Sequence, residues 1–298
     1  MTHFLLKEII GNNHGEIFIV DVGAMPEGAP RYDILVKNYR THLVGFEPNE
    51  EQLKKLRELD NASAEYLPCF LGEGKDHPFH VTRYPGCSSL YQPNSQLIDL
   101  FTSIGACAGG NFEVMQVKQV GTNRLDDIYH HPAAHMIKLD VQGAELEVLQ
   151  GAKSTLRNTL VLESEVEFVP LYRDQPLFGD IQCYLREKGF LLHKFIDMSG
   201  RCFRPISIPN KPYVPMSQLL YADAIFVRDF TRLDKLSDME LLIVAIIMND
   251  IYRSYDFVNF LLTEYDKRQG TEFSTSYLKR LQSVPNLNIL YLNKKEMP

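Results

Sequence analysis

The sequence predicts an α/β fold, a parallel sheet with helices on its faces, continued by a helical extension. Three observations lead to it. Strand-like runs of β-branched and aromatic residues alternate with stretches of helical periodicity. Four of those runs stop at an acidic residue. After Arg228 the alternation gives way to helical stretches alone.

In chain order, Ile17-Phe18-Ile19-Val20 is a buried strand ending at Asp21, with Gly23 just beyond, and Leu43-Val44-Gly45-Phe46 is a second ending at Glu47-Pro48. Leu53, Leu56 and Leu59 then recur at helical spacing among Glu and Lys, which predicts an amphipathic helix over 49–59. Residues 66–71 read as a third strand. From 73 to 120 the pattern loosens into turns at Gly74, Pro85-Gly86, Gly105 and Gly109-Gly110, an insertion of the kind that carries substrate sites on a rigid sheet. Order resumes with Met136-Ile137-Lys138-Leu139-Asp140, a helix through Leu146, Leu149 and Leu156, and a strand over 159–162 ending in Glu163. A helix over 180–188 closed by Gly189 and strands over 190–196 and 224–227 complete roughly seven strands. Residues 1–230 thus form one domain. Residues 231–298 form the extension, with helices over 238–255 and 256–268.

Composition narrows the function. With 45% apolar and 23% charged residues the 298-residue chain is an ordinary globular protein. A net charge of -7 argues against a nucleic-acid binder working by phosphate neutralisation. The five scattered cysteines, Cys69, Cys87, Cys107, Cys183 and Cys202, contain no C-x-x-C pair, so a disulfide framework or zinc ribbon is not expected. No signal peptide is read at the N-terminus, and the longest apolar run, residues 241–248, is too short for a bilayer. A cytoplasmic protein without a membrane span is expected. That run is apolar on every face and must be buried, in its own domain, in a homodimer interface or as a lid.

Acids at strand ends point to a ligand, because open α/β sheets bind beyond the carboxyl ends of their strands. Glu47 follows Asp21 by 26 positions, near the spacing at which a second-strand carboxylate accepts both ribose hydroxyls. A dinucleotide needs G-x-G-x-x-G, whereas this loop offers only Gly23 and Gly28. Asp21 would repel a pyrophosphate and suit a ligand carrying an ammonium and a sulfonium, as S-adenosylmethionine does.

The motifs Val20-Asp21-Val22-Gly23-Ala24, Gly45-Phe46-Glu47-Pro48, Ser88-Ser89-Leu90, Leu125-Asp126-Asp127 and above all the run from Ile137 through Asp140 to Glu145 resemble the FkbM family of class I methyltransferases, over about residues 15 to 230. The resemblance implies a Rossmann-like seven-stranded class I methyltransferase fold and S-adenosyl-L-methionine as donor. It also implies a hydroxyl acceptor on a carbohydrate or secondary metabolite, a small molecule or glycan rather than nucleic acid. Asp21, Gly23, Ala24, Glu47 and Pro48 would hold the donor, and Asp140 would face the reacting groups. The loop departs from the family's D-V-G-A-N-x-G: Met25-Pro26-Glu27-Gly28 lacks the Asn and displaces the second glycine, and Pro26 removes a backbone donor. A non-catalytic interaction protein on a decayed copy of this fold, and an NAD-type oxidoreductase, are the alternatives.

Lys138 and Asp140 share one strand face. Lys138 is either a buried ion-pair partner of Asp140, Glu163 or Glu145, or it tunes a catalytic Asp140. Asp140 takes the acceptor proton directly, or with Glu163 holds a divalent metal that lowers the hydroxyl pKa. Glu165 and Glu167, on the face of Glu163, read as solvated. His77 and His80 beside Cys69 and Cys87 fit no standard zinc module, and His130-His131 before Pro132 reads as a surface turn.

Overall fold

The computed structural model describes residues 4–26, 28–59, 63–284 and 287. Their contacts divide into two units: the described residues of Phe18–Ala29 with Thr41–Phe230, and those of Met1–Ile17, Pro30–Arg40 and Thr231–Pro298.

The strands are β1 (Ile17–Val22), β2 (Thr41–Phe46), β3 (Ala64–Leu67), β4 (Phe70–Leu71), β5 (Asp76–Thr82), β6 (Val114–Asn123), β7 (Met136–Leu139), β8 (Val161–Glu167), β9 (Phe190–Arg201) and β10 (Gln218–Arg228). Seven form a sheet in the order β3-β2-β1-β7-β8-β10-β9. β2–β3, β1–β7 and β7–β8 pair in parallel, and β10 is antiparallel to both its neighbours. This is the Rossmann-like sheet the sequence predicts. The chain runs outward from β1 to β3 and then restarts at β7 on the other side, so a crevice opens beyond the carboxyl ends of β1 and β7.

Strand alternation sorts the two faces. Val20, Val22, Ile137, Leu139 and Leu162 pack with Val148 and Leu149 of helix Glu145–Gln150 and with Ile181 and Leu185 of helix Phe178–Glu187. Asp21, Lys138 and Glu163 take the opposite face, directly opposite one another across β1, β7 and β8.

Several boundaries differ from the sequence reading. The strand expected over 66–71 is two, because Pro68 cannot donate to a ladder: β3 joins the main sheet and β4 a second one. The insertion is more regular than its turns imply, since β5 and β6 pair antiparallel in a three-stranded sheet ordered β4-β6-β5. Their pairing joins segments some thirty residues apart, a contact no local pattern announces. The helix expected through Leu156 stops at Gln150, with a separate 3₁₀ turn at Thr155–Asn158. Glu163 does not end its strand, for β8 runs on to Glu167.

The helical unit holds helices Lys7–Ile10, Asp33–Asn38, Asp238–Asp250, Tyr255–Gln269 and Phe273–Gln282. The last follows Gly270, whose left-handed φ of 68° ends the helix before it, and was not anticipated. Ser237 and Glu240 form a capping box at the start of Asp238–Asp250. Residues 241–250 are all buried, as an all-apolar helix requires. At its end the Asp250 carboxylate accepts from Leu6 N, the Tyr39 hydroxyl and Asn249 Nδ2. No helix among the described residues is long and apolar enough to cross a membrane.

Candidate functional site

A cavity of about 460 Å³ opens at the carboxyl ends of the central strands. The loop after β1 forms one wall. Gly23 has φ +82° and donates to the Phe46 carbonyl at 3.0 Å. A Cβ there would lie 2.0 Å from the Asp140 carbonyl oxygen, so only glycine lets the β1 and β7 loops meet.

Glu47, one residue beyond β2, is 6% exposed and lines the cavity. Among the described residues it accepts one hydrogen bond, from Asn49 N to Oε1 at 2.6 Å. Asn49 itself caps helix Glu50–Arg57, accepting from Glu51 N and Gln52 N. Burial pushes the Glu47 carboxyl up to about 7; the Asn49 amide pulls it down, and the nearby Asp21 carboxylate adds to the rise.

Beyond β7 the chain wraps around a buried carboxylate. Val141 N and Gly143 N donate to Glu145 Oε1 at 2.8 and 3.3 Å. Glu145, weighed as a partner of Lys138, holds this turn instead, and burial raises its carboxyl to about 7 against the pull of those amides. Gln142, at φ +58°, is the hub of the turn. Its Nε2 donates to Asp140 Oδ1 at 3.1 Å and Glu165 Oε2 at 2.7 Å, and its Oε1 accepts from the Tyr172 hydroxyl at 3.0 Å. Ser89 Oγ donates to the Gln142 carbonyl at 2.6 Å.

Of the residues expected from sequence, Gly23, Glu47, Pro48 and Asp140 line the cavity. Ala24 is buried behind the loop. Asp21 faces Lys138, with 3.6 Å between carboxylate and Nζ, rather than the cavity. Lys138 reaches Asp140 at 3.4 Å on its other side. Burial alone would lower the Lys138 pKa, but Asp21, Asp140, Glu163 and Asp223 around it outweigh that and drive it up, so it stays a cation. Its partner across β1, Asp21, was not foreseen, because that pairing depends on strand order. Glu163 is buried within β8 and does not line the cavity.

The expectation that Glu165 and Glu167 are solvated is overturned. Glu167 is 1% exposed, and both carboxyls are raised well above the ordinary range by burial and by neighbouring carboxylates, Asp140 among them. Three acids on one strand face imitate a wet surface, but β8 is a central strand covered on both sides. Two residues had no role read from sequence: Gln142, although it lies in the 137–145 run that carries the family resemblance, and Tyr172, which carried no signal. Among the described residues no group of three or more His, Cys, Asp or Glu is placed to hold a metal ion.

No curated protein matches the chain. Among solved structures, the methyltransferase FkbM from Methylobacillus flagellatus is 14% identical, with a TM-score of 0.40, over 76% of this chain and 48% of its own, so the chain spans about half the length of that relative. The 23S rRNA methyltransferase ErmE is 10% identical, TM-score 0.37, over 85% of each chain. A SAM-dependent methyltransferase from Aquifex aeolicus is 12% identical, TM-score 0.29, over 74% of this chain and 87% of its own. The family model described as the methyltransferase FkbM domain matches residues 21–192, which hold Gly23, Glu47 and Asp140, and more than half of the sequence: the chain belongs to the FkbM methyltransferase domain family.

Proposed function

We propose that the protein is an S-adenosylmethionine-dependent methyltransferase acting on a hydroxyl of a carbohydrate or secondary metabolite. The observation that carries this reading is the convergence of Gly23, Glu47 and Asp140 on one cavity at the topological switch point. The residues fit the donor. Gly23 lets the loop after β1 close against the Asp140 carbonyl at the cavity wall, and Glu47 has acceptor capacity beyond its one bond to Asn49 for a pair of ribose hydroxyls. When bound, the donor supplies an electrophilic methyl group on a sulfonium.

The chain's own part is to align an acceptor oxygen and take its proton. Asp140 is the base in this reading, half-exposed at the cavity wall and oriented by Gln142 Nε2 on one side and Lys138 Nζ on the other. Lys138, flanked by Asp21, Asp140 and Glu163, is a fixed cation that positions Asp140. Glu163 serves as its buried counter-charge. Titration with S-adenosylhomocysteine tests the donor site: binding lost in Glu47→Ala supports it, and equal affinity of both proteins refutes it.

A further inference from the structure

We propose that a second cavity in the sheet unit anchors an anionic substituent of the acceptor, a carboxylate or phosphate on a sugar-like ring, through Arg201. This rests on the methyl-transfer reading above. The cavity measures about 830 Å³, and its wall includes Tyr84, Asp99, Asn111, Arg201, Arg204 and Tyr213.

Arg201 ends β9 and is only 8% exposed. Gly200 before it permits close strand approach: a Cβ there would meet the Gln218 carbonyl oxygen at 2.1 Å. Arg201 Nη1 donates to Ser199 Oγ at 3.1 Å and to the Gly200 carbonyl at 2.7 Å, both neutral acceptors. Among the described residues its Nε is buried without an acceptor, and Arg201 forms no ion pair. Taking a guanidinium out of water without a counter-charge is unfavourable, and the cavity is where a counter-charge enters.

The acid already there does not supply it. Asp99 accepts from Ala106 N at 2.9 Å and Cys107 Sγ at 3.1 Å, and the Arg204 charge lies near it. Arg204 in turn holds the Phe101 and Ile104 carbonyls at 2.7 Å each. Arg201 is thus the cation left over. Its guanidinium lies 5.0 Å from the centre of the Tyr213 ring, and with Tyr84 also in the wall the site offers aromatic faces for a ring and a planar fork for its acid group.

One turn joins this cavity to the donor site. Pro85, Gly86 and Ser88 line the first cavity and Tyr84 the second. The Tyr84 ring lies over Gly86, where a Cβ would meet it at 2.8 Å. An acceptor lying across this turn presents a hydroxyl to Asp140 and its charge to Arg201.

The test is calorimetry and saturation-transfer NMR on the full chain with D-glucuronate, D-glucose 6-phosphate, D-glucose and inorganic phosphate, each with and without S-adenosylhomocysteine. At least one anionic sugar is expected to bind tenfold or more tighter than glucose. Arg201→Gln should weaken it at least tenfold while S-adenosylhomocysteine affinity stays within twofold. Tyr213→Ala, at a side chain 63% exposed, should weaken it at least threefold without lowering the melting temperature, so a folding defect at Arg201 leaves the idea testable. Which sugar binds separates carboxylate from phosphate. The proposal is overturned if glucose binds as well as its anionic relatives, if neither anionic sugar binds, if the variants bind like wild type, or if inorganic phosphate matches glucose 6-phosphate and marks a bare ion site. Loss of S-adenosylhomocysteine binding by wild type would instead sink the donor reading and leave the sugar result standing.

Discussion

Glu47→Gln should make the protein more stable and a worse binder at once. The Glu47 carboxyl sits at about 7 in the folded protein against 4.5 ordinarily, chiefly through burial. Between those two values the unfolded chain has released a proton that the native state keeps, so stability falls as pH rises through that window and stays low above pH 7. A shift of that size corresponds to at most about 3–4 kcal/mol. Glutamine keeps the shape and an acceptor for Asn49 N but has no charge to bury, so at pH 8 the variant should melt several degrees above wild type, and at pH 4 the difference should vanish. Donor binding moves the other way. Losing a charge-assisted pair of hydrogen bonds to the ribose costs about 2 kcal/mol, roughly thirtyfold in the dissociation constant for S-adenosylhomocysteine. Melts at the two pH values and calorimetry at pH 8 decide it. A variant with no pH-dependent gain in stability and unchanged affinity would refute both the burial argument and the placement of Glu47 in the donor site.

Asp140→Asn should keep donor binding and lose transfer by roughly a hundredfold or more, the scale of a general base; full wild-type activity in excess EDTA would exclude a metal, and rescue by magnesium or manganese would demote the direct-base role. Gly23→Ala forces a Cβ to 2.0 Å from the Asp140 carbonyl oxygen at a φ of +82°, and should destabilise by roughly 2 kcal/mol or more, read as a lower urea midpoint; an unchanged midpoint would mean the two loops do not meet there. Gln142→Leu strands a Glu165 oxygen, while the Tyr172 hydroxyl keeps the Cys87 carbonyl, and should cost about 1–3 kcal/mol, with donor affinity nearly intact and turnover reduced. Asp250→Ala removes the shared acceptor of Leu6 N and the Tyr39 hydroxyl, and should lower stability by about 2–4 kcal/mol in a chemical melt.

What the sequence disclosed follows from where each signal is stored. β1 and β2 carry the apolar runs 17–20 and 43–46, and β7 is apolar but for Lys138, because both their faces are covered, and that shows in consecutive residues. Gly23, Glu47 and Asp140 were legible because a tight loop and a strand-end carboxylate each restrict residue type. The Asp21–Lys138 pair was not, since it exists only once β7 is laid beside β1. Glu165 and Glu167 misled for the same reason: acids at alternate positions are what an exposed strand shows, and only the neighbours of β8 reveal their burial. The β5–β6 pairing and the Tyr172 hydroxyl on Gln142 likewise join residues distant in the chain.

The composition of the helical unit bears on how the chain is made. Leu6 and Tyr39 meet Asp250 across 244 and 211 residues of sequence, so helices Lys7–Ile10 and Asp33–Asn38 leave the ribosome long before the segment that completes their surroundings. At 5–20 residues per second that interval is on the order of tens of seconds. Contacts of such separation also form late, after the loop-closure entropy of the intervening chain has been overcome. Helices made well before their partner are therefore among the last to be fixed, and a chain ended at residue 230 keeps those two helices while losing the carboxylate that ties them together.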